Sequence, residues 1–470
     1  MAAETGWSQL TPSPEKIEAL RLQPAAAPVE TVHRLKFNQP TGLTAMGRFQ
    51  TRRQAGWPQV HRIAAAVLCM LLLPGTGAAE DGPANSAGAK WNEIDLLQWV
   101  ATLGEGESQF DELATVAEFE RLQASIEEVK QMVLREARTE QEAVEGLRMI
   151  LKHLTVSTTD SINNDFRNPL FAKADPRNRD IGAYNPDAEY DQAFIDGRYD
   201  YKLTAELGTV PYVSITVNGS GKTQLSRAVA YLDNVAIREH TDAEGHFTLW
   251  LTKAKPEGPG AWIALPDEAN GVIIRQYVTD RAEQTLAQFA IEATGENLPD
   301  IEVTSDADIA SRLRMASNYL LVSSTWHHTL LPQMRKTPNT FVPSTGASIG
   351  ASAANSENYY QMAYYEIGEG ERLLVDFEAP DTVFWNLTSA TIWHESQRYL
   401  TDPVSLTSTE ATRGANGRVQ FVLSREDPAH PNWIKTFGHE RGFLILRMVD
   451  VKNHPLPIVT HVAAPGANPS

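Results

Sequence analysis

The most reactive combination of side chains lies at Trp393, His394 and Glu395. A histidine beside a carboxylate can transfer protons as a general acid or base. On an extended strand His394 and Glu395 would point to opposite faces, whereas Trp393 and Glu395 would share a face. That face could bind a sugar by stacking and hydrogen bonding. A loop or a solvent-facing strand end is the structural alternative for this segment.

A second candidate group combines the amide of Asn185, the carboxylate of Asp187 and the phenol of Tyr190. These groups suit the binding of a polar ligand, and Asp187 is also a candidate acid–base residue. An Asn-Pro-Asp turn followed by a tyrosine at a strand edge explains the same residues without a ligand. Tyr360 occupies the position that matches Tyr190 in a later, related stretch of the chain.

Arg275 and Arg447 each lie within an apolar stretch that predicts a strand. Burying an isolated charge is costly, so each arginine must reach solvent, pair with a carboxylate or contact a bound anion. Structural pairing is the favoured interpretation, and ligand binding is the alternative. The ligand-binding candidates are therefore Asn185, Tyr190, Arg275, Tyr360, Trp393 and Arg447, and the catalytic candidates are Asp187, His394 and Glu395.

The sequence contains no standard catalytic motif. His-Glu-x-x-His and Gly-x-Ser-x-Gly are absent, and the segment from Gly219 to Thr223 lacks the earlier glycine of a phosphate-binding loop. His327 and His328 are adjacent, and adjacent helical side chains point about 100° apart, which disfavours joint ligation of one metal. We therefore predict no metal site and no cofactor.

The candidate residues belong to a stretch that occurs twice. The first copy runs from about Asn185 to Arg275 and the second from about Asn355 to Arg447, at an offset of 170 to 172 residues. The matching positions are mainly turn glycines, strand apolars, a tryptophan and an arginine. Because a fold requires such positions, the repeat predicts a duplicated scaffold more than a duplicated active site.

Short alternating strands fill both copies, with examples at 201–207, 212–217, 247–251, 373–377 and 419–423. Asn-Gly dipeptides at 218–219, 270–271 and 416–417 predict hairpin turns. A helical period of 3.6 residues precedes each copy, at 118–154 and 309–332. The predicted fold class is α+β and mainly β, with two related antiparallel β-sandwich, jelly-roll-like lobes that are each preceded by helices.

The N-terminal part has the pattern of an export signal. Arginines between 52 and 62 precede the apolar run 63–73, and small residues follow at 77–79. The run is too short to span a bilayer comfortably, so we predict no stable membrane anchor after cleavage, and a periplasmic or secreted location. A buried core helix is the alternative. Met46 is an alternative start to Met1.

These patterns divide the chain into five parts: a leader with an export signal at 1–79 (core 46–79), a helical region at 80–155, a first β-sandwich lobe at 156–303, a helix and long loop at 304–354, and a second β-sandwich lobe at 355–462.

The 470-residue chain is acidic, with 41 Lys plus Arg, 59 Asp plus Glu and a net charge of −18. This balance argues against nucleic acid and anionic membranes as partners. The single cysteine, Cys69, lies in the apolar run, so the processed protein would have no disulfide and no thiolate ligand. Assembly into a homo-oligomer stays open.

The second copy resembles a bacterial family catalogued as domain of unknown function 1214, through Phe384–Thr388, Asn416–Val419, Pro428, Asn432–Ile434 and Gly442–Arg447. The first copy resembles the upstream portion of longer members, through Asn185–Asp187, Tyr190, Trp262–Pro266 and Ile274–Arg275. The resemblance implies β-sandwich domains and export, and it supplies no settled reaction. Lys435–Phe437 stand where the family often has Leu-Pro-Ala-Pro, so a pocket lined by that loop would differ.

Two functions are compatible with these observations. The first is a non-catalytic exported protein that binds a polar or saccharide-like small ligand in a groove between its lobes. The alternative is a periplasmic hydrolase or related enzyme that uses Asp187, His394 or Glu395 as acid and base. Convergence of Asp187, Tyr190 and the two arginines on one cleft would favour the first.

Overall fold

The computed structural model describes residues 108–162, 165–174, 182, 184–220, 227–295, 298, 304–329, 331–345 and 358–464. The predicted export signal and the rest of the chain before residue 108 lie outside these residues. Within the described ranges, no helix is both long enough and apolar enough to cross a membrane.

A helical layer precedes the first lobe. Its helices α1 (Ala114–Glu136) and α2 (Glu140–Ile162) replace the single helical stretch that periodicity predicts at 118–154. The chain turns between them because the Thr139 hydroxyl accepts a hydrogen bond from the Glu142 N–H at 3.1 Å and so starts a new helix.

In the residues that the structure describes, the first lobe, lobe 1, contains nine strands and a short helix. The strands are β1 (Ala172–Ala174), β2 (Ala188–Phe194), β3 (Tyr201–Glu206), β4 (Tyr212–Gly219), β5 (Arg227–Leu232), β6 (His246–Thr252), β7 (Ala261–Ala264), β8 (Ala269–Tyr277) and β9 (Gln288–Ala293), and helix α3 (Asn234–Glu239) lies between β5 and β6. One sheet has the order β1-β2-β8-β4-β5, and the other has the order β7-β6-β3-β9.

Helix α4 (Asp306–Thr325), a 3-10 turn (Trp326–Thr329) and the short helix α5 (Leu331–Met334) connect the lobes. The Ser305 hydroxyl caps α4 by accepting from the Asp308 N–H at 3.2 Å. Asp306 also caps α1, because its carboxylate accepts from the N–H groups of Ala114 and Thr115 at 2.9 and 2.8 Å. The helices before the two lobes therefore form one layer.

The second lobe, lobe 2, also has nine strands in the described part of the chain. They are β10 (Val342–Thr345), β11 (Asn358–Glu366), β12 (Arg372–Glu378), β13 (Phe384–Ala390), β14 (Ser405–Thr407), β15 (Arg418–Ser424), β16 (Trp433–Lys435), β17 (Arg441–Val449) and β18 (Ile458–Val462). Their sheet orders are β10-β11-β17-β13-β14 and β16-β15-β12-β18. Each order repeats that of lobe 1 strand for strand, which confirms the duplication and the mainly β fold with two similar lobes.

Each lobe has a separate apolar core between its two sheets. Leu203, Ile215 and Leu249 are fully buried in lobe 1, as are Val375 and Phe421 in lobe 2. In both lobes these residues alternate along their strands with residues of the opposite face, as expected for packed sheets. The outer face of each five-stranded sheet remains available for contacts outside its own lobe.

Two predicted turns differ from the structure. Asn270 and Gly271 lie inside β8, because the chain has already turned at Pro266, whose carbonyl accepts from the Ala269 N–H at 3.1 Å. Asn218 and Gly219 are the last residues of β4. The third prediction is correct: Gly417 lies in a turn with a positive φ of 76°.

Candidate functional site

The outer faces of the two five-stranded sheets meet at an interface between the lobes. Tyr277 of β8 stacks on Phe384 of β13 with ring centroids 4.5 Å apart and on Tyr212 of β4 at 5.1 Å. Ala188 and Val449 complete this buried apolar cluster. The two lobes are therefore joined by packed side chains as well as by the connecting helices.

Arg275 and Arg447 extend from the outer faces at this interface. Arg275 pairs in register with Tyr190, and Arg447 pairs with Tyr360, so the two copies supply the same pair from matching positions. Each arginine is only 5% exposed. The Arg275 guanidinium also lies 5.9 Å from the centre of the Tyr190 ring.

A threonine two positions along the neighbouring strand orients each guanidinium. Arg275 Nη1 donates to Thr216 Oγ1 at 2.9 Å, and Arg447 Nη1 donates to Thr388 Oγ1 at 2.6 Å. Arg447 Nη2 also donates to the carbonyl of Tyr184 at 3.4 Å, which links lobe 2 to the start of lobe 1. The repeated arginine thus has the same local geometry in both copies.

The charges at this interface act on one another. Burial raises the pKa of Tyr190 to about 12; Tyr360 acts in the same direction, and Arg275 and Arg447 act against it. Burial lowers the pKa of Arg447, and Tyr190, Tyr360, Tyr277 and Asp187 oppose this change. Both arginines and the two matched tyrosines therefore belong to one electrostatic environment.

Asp187 and Asn185 contact lobe 2 directly. Asn386 Nδ2 of β13 donates to Asn185 Oδ1 and to Asp187 Oδ2, at 2.6 Å in each case. The Ser405 hydroxyl also donates to Asp187 Oδ2. Burial raises the pKa of Asp187, while the hydrogen bonds from Asn386 and Ser405 oppose that rise. Asp187, Tyr190, Arg275 and Arg447 thus converge at the interface between the lobes.

The interface also contains buried polar atoms without a hydrogen bond. Within the described part of the chain, Asn185 Nδ2 and Asn386 Oδ1 are buried and have no hydrogen-bond partner. Such atoms are uncommon because an unmade hydrogen bond in a buried position costs about 1–3 kcal/mol. Together with the tyrosine hydroxyls, these amides offer donors and acceptors to a small polar molecule.

Trp393, His394 and Glu395 form a turn after β13 and do not lie on a strand. Trp393 is fully buried, and its indole N–H donates to the Glu142 carbonyl of α2 at 2.7 Å. Its ring packs against α2 and has no exposed face for a sugar. Glu395 is also buried and forms ion pairs with Arg148 at 3.1 Å and Lys152 at 2.6 Å.

His394 is a buried residue with a positive φ of 59°. Its ring lies 3.9 Å from the ring of Phe443 and 5.2 Å from that of Trp326, measured between centroids. Burial lowers the pKa of His394 well below its ordinary value, with His328 and Arg447 acting in the same direction. The imidazole is therefore neutral at physiological pH.

The structure separates the predicted catalytic residues. Asp187 contacts Asn386, near the start of β13, whereas His394 contacts Phe443, which pairs with Ala390 at the end of the same strand. Four residues of strand span about 13 Å. Asp187 and His394 therefore do not form an acid–base pair.

A cluster of charged residues that the sequence interpretation missed lies between α2 and lobe 2. Arg441 donates to both carboxylate oxygens of Glu142, at 2.8 and 2.7 Å. His439 Nε2 lies 2.6 Å from Glu145 Oε2, and its Nδ1 donates to the Thr436 carbonyl at 2.6 Å. Glu142 and Glu145 lie on the buried face of α2, and carboxylates at such positions are the signal that could have predicted cationic partners.

This cluster borders a cleft of about 380 Å³ whose walls include Arg138, Glu142, Glu366, His439 and Arg441. Burial opposes protonation of His439, but the hydrogen bond and charge of Glu145 outweigh it and raise the pKa of His439. The contact with Glu145 therefore favours the protonated imidazole, and both ring nitrogens are engaged, Nε2 by Glu145 and Nδ1 by the Thr436 carbonyl. Among the described residues, no three His, Cys, Asp or Glu side chains gather to hold a metal ion.

Comparison with known proteins finds one family whose model matches two segments of the chain. A model described as "Protein of unknown function (DUF1214)" matches residues 183–281 and 369–453. These segments fall in lobe 1 and lobe 2, so the chain carries the pattern of this family twice, as the resemblance predicted. A comparison with curated proteins found no match.

One solved structure supports the fold. A crystal structure of an uncharacterised protein from Burkholderia cenocepacia is 22% identical, covers 73% of this chain and 96% of its own, and has a TM-score of 0.67. A protein from Vibrio parahaemolyticus is 10% identical and covers 67% of this chain and 98% of its own, with a TM-score of 0.39. At this identity the Burkholderia protein indicates a shared fold alone.

Proposed function

We propose that this chain is an exported binding protein that holds a small polar or saccharide-like molecule between its two lobes, without catalysing a reaction. The observation that carries the proposal is the convergence of two register-matched pairs, Tyr190 with Arg275 and Tyr360 with Arg447. Ligand sites commonly form where domains meet and where a few polar groups converge among aromatic side chains.

The unsatisfied amide atoms of Asn185 and Asn386 support the same location. A bound molecule with hydroxyl groups could donate to Asn386 Oδ1 and accept from Asn185 Nδ2, and would remove the cost of leaving both atoms buried and unbonded. Phenol rings such as those of Tyr190 and Tyr360 combine an apolar face with a polar tip, which suits the alternating surfaces of a sugar.

Binding is favoured over acid–base chemistry at this interface. The Asp187 carboxylate is already bonded to Asn386 and Ser405, and His394 lies at the far end of β13. The alternative function, a periplasmic hydrolase or related enzyme, draws its best support from a different place. His439 and Glu145 form a hydrogen-bonded pair beside a cleft large enough for a small substrate.

Cell fractionation and a binding screen test the proposal. The export part rests on the sequence of residues 46–79, and recovery of processed protein from the periplasm or medium is the expected result. Purified protein is then screened against sugars and polar metabolites by thermal shift and calorimetry. We expect Tyr190→Phe and Tyr360→Phe to weaken binding about fivefold each, as for one lost neutral hydrogen bond.

Tyr199→Phe is the matched control, because this tyrosine stacks on Phe166 away from the interface. The Tyr199→Phe variant should bind the ligand with the same affinity as the unmodified protein. The proposal is wrong if the screen yields no ligand or if both interface variants bind as tightly as the control. Turnover of a substrate that is abolished by His439→Gln would instead favour the hydrolase.

A further inference from the structure

We propose that the outer face of the four-stranded sheet of lobe 1 is a second binding surface, which holds an uncharged, extended glycan chain. This surface is separate from the interface between the lobes, so the proposal goes beyond the function given above. It rests on a row of four side chains that crosses the sheet, called here the tryptophan row. The row consists of Trp262 of β7, Trp250 of β6, Lys202 of β3 and Glu292 of β9.

The tryptophan row lies on the face of the sheet that points away from the core of lobe 1. The next residues along three of these strands, Leu203, Leu251 and Ile263, belong to that core, and successive residues of a strand point to opposite faces. Both tryptophans are half-buried, and the side chains of Lys202 and Glu292 are 32% and 65% exposed. The outer face therefore presents two indole rings beside two charged groups.

Lobe 2 provides an internal comparison, because its sheet β16-β15-β12-β18 has the same strand order and register. Three of the four positions in the row carry other residues there, two aliphatic and one threonine. The residues of lobe 2, in the order of the row, are Trp433, Val422, Leu374 and Thr460. Since both lobes fold on the same scaffold, the fold does not require the second indole or the charged pair of lobe 1.

The two indole rings of the row are held in fixed orientations. Trp262 Nε1 donates to the hydroxyl of Thr252 at 3.0 Å, and Trp250 Nε1 donates to the carbonyl of Pro259 at 3.4 Å. A side chain that is already ordered loses little conformational entropy when a ligand packs on it. Indole rings are large, flat and apolar, which suits the C–H faces of sugar rings.

The charged pair supplies hydrogen-bonding groups next to the rings. Lys202 Nζ lies 5.5 Å from the centre of the Trp250 ring and 3.7 Å from Glu292 Oε1, a distance too long for a hydrogen bond. The ammonium can therefore donate to ligand hydroxyls, and the carboxylate can accept from them. One cation and one anion give the row no net charge, and the net charge of −18 on the whole chain disfavours an acidic glycan. The complementary ligand is neutral and rich in hydroxyl groups.

The length of the row favours a chain over a single sugar. Neighbouring strands of a sheet lie about 4.8 Å apart, so the row extends for about 14 Å across four strands. That distance exceeds one sugar ring and matches a short run of linked sugars that lies across the strands. We therefore expect affinity to increase with the number of sugars.

Oligosaccharides test the proposal on the full chain. Cellohexaose, chitohexaose and laminarihexaose are titrated by calorimetry at pH 7, together with glucose, N-acetylglucosamine and the acidic hexagalacturonate. We expect at least one neutral hexasaccharide to bind about 10-fold or more tightly than its monosaccharide, because it contacts a second ring and further polar groups. Hexagalacturonate should bind more weakly than that neutral hexasaccharide.

Substitutions that copy lobe 2 locate the site. Trp250→Val and Lys202→Leu introduce the residues that lobe 2 has at the same positions, and each should weaken hexasaccharide binding about 10-fold. Trp433→Val is the matched control, because it removes the equivalent tryptophan of lobe 2 and should leave this binding unchanged. Circular dichroism checks that each variant folds, and Lys202→Leu still decides if Trp250→Val does not fold.

Four results would overturn the proposal. They are no binding of any hexasaccharide, equal binding of hexagalacturonate, unchanged binding by both Trp250→Val and Lys202→Leu, and an equal loss of binding by Trp433→Val. Sedimentation is measured in parallel: a dimer that becomes monomeric on Trp250→Val would show that a second copy of the chain covers this face in place of a glycan. Each of these results leaves the proposed function standing, because the interface between the lobes is tested with other ligands and other variants.

Discussion

Buried charges in this protein are held by partners that come from different parts of the chain. Arg441 is 2% exposed and forms a two-pronged contact with Glu142 of α2, and Glu395 is held by Arg148 and Lys152 of the same helix. Removing one partner of such a pair is strongly destabilising, because it leaves an uncompensated charge in a poorly solvated place. These pairs therefore specify how α2 packs on lobe 2.

The pair of His439 and Glu145 makes this packing depend on pH. The folded pKa of His439 is raised, so its contribution is complete below the unfolded value of about 6.5 and is lost as pH rises through the folded value. The pKa of Glu145 is lowered: burial acts against this change, and the contact with His439 outweighs burial. Its contribution is present above about pH 4.3 and is lost as pH falls through the folded value.

We expect the imidazole of His439 to titrate above pH 6.5 in NMR spectra of the full chain. Glu145→Gln should lower that midpoint, because the charge that stabilises the imidazolium is gone. His439→Gln should reduce the free energy of unfolding by more at pH 6 than at pH 9, measured by urea denaturation. The exposed His240→Gln serves as control, and an equal loss at both pH values for His439→Gln would contradict the assignment.

At the scale of single residues, the sequence predicted which side chains stand out better than it predicted what those side chains contact. The sequence required each strand arginine to reach solvent, pair with a carboxylate or contact an anion. It did not predict the hydroxyls of Thr216 and Thr388, which accept from Arg275 and Arg447. The same reasoning could not place Trp393, because its burial depends on α2, which lies about 250 residues away in the sequence. The sequence could not predict the partners of Glu142 and Glu145 either, because these partners also come from a distant part of the chain.

Helix α2 packs unusually closely against the turn that follows β13. A Cβ atom at Gly146 would lie 2.5 Å from Val133 Cγ1 and 2.7 Å from Trp393 Cε2. Glycine is unfavourable within a helix by about 1 kcal/mol relative to alanine, so its presence here serves close contact between elements. The absent side chain makes room for the Trp393 ring and for its hydrogen bond to the Glu142 carbonyl.

Gly146→Ala should therefore destabilise the protein by about 1–3 kcal/mol, although the same change stabilises most helices. Urea denaturation of the two proteins at pH 7 measures the difference. Trp393→Leu removes the large ring, and in that background the cost of Gly146→Ala should fall. A stabilising effect of Gly146→Ala in the original background would mean that α2 does not approach the turn so closely.

Element boundaries were predicted where the local chemistry was strong. The alternation of apolar and polar residues predicted strands such as β3, β4, β6, β12 and β15, and the Ser305 capping signal predicted the start of α4. The division between α1 and α2 was missed because Ala137 to Thr139 contain neither glycine nor proline, although Thr139 and Glu142 have the spacing of a capping box. The dipeptide Asn270-Gly271 misled because pairing of β8 with β2 and β4 outweighed its preference for a turn.

At the scale of the whole molecule, the lobes share one interface made of the outer faces of equivalent sheets. The stacked rings of Tyr212, Tyr277 and Phe384 belong to this interface, as do the hydrogen bonds from Asn386 to Asn185 and Asp187. The repeat predicted two similar lobes, and it did not predict that these faces meet. Contacts between distant parts of the chain leave no periodic pattern in a single sequence.

We expect the lobes to unfold together in one calorimetric transition. Phe384→Ala removes the ring that joins them and should lower the free energy of unfolding by about 3–5 kcal/mol, with separation into two transitions. Phe421→Ala, in the core of lobe 2, is the matched control and should shift a single transition to lower temperature. Two transitions in the unmodified protein would show that the interface does not couple the lobes.

The apolar cluster at this interface contains two pairs of equivalent residues, one residue of each pair from each lobe. Tyr212 and Phe384 occupy equivalent positions, as do Tyr277 and Val449, and all four meet in one cluster. A contact in which each surface meets its own counterpart is the isologous arrangement of a twofold dimer. The chain therefore has the form of a covalently linked dimer of one ancestral lobe.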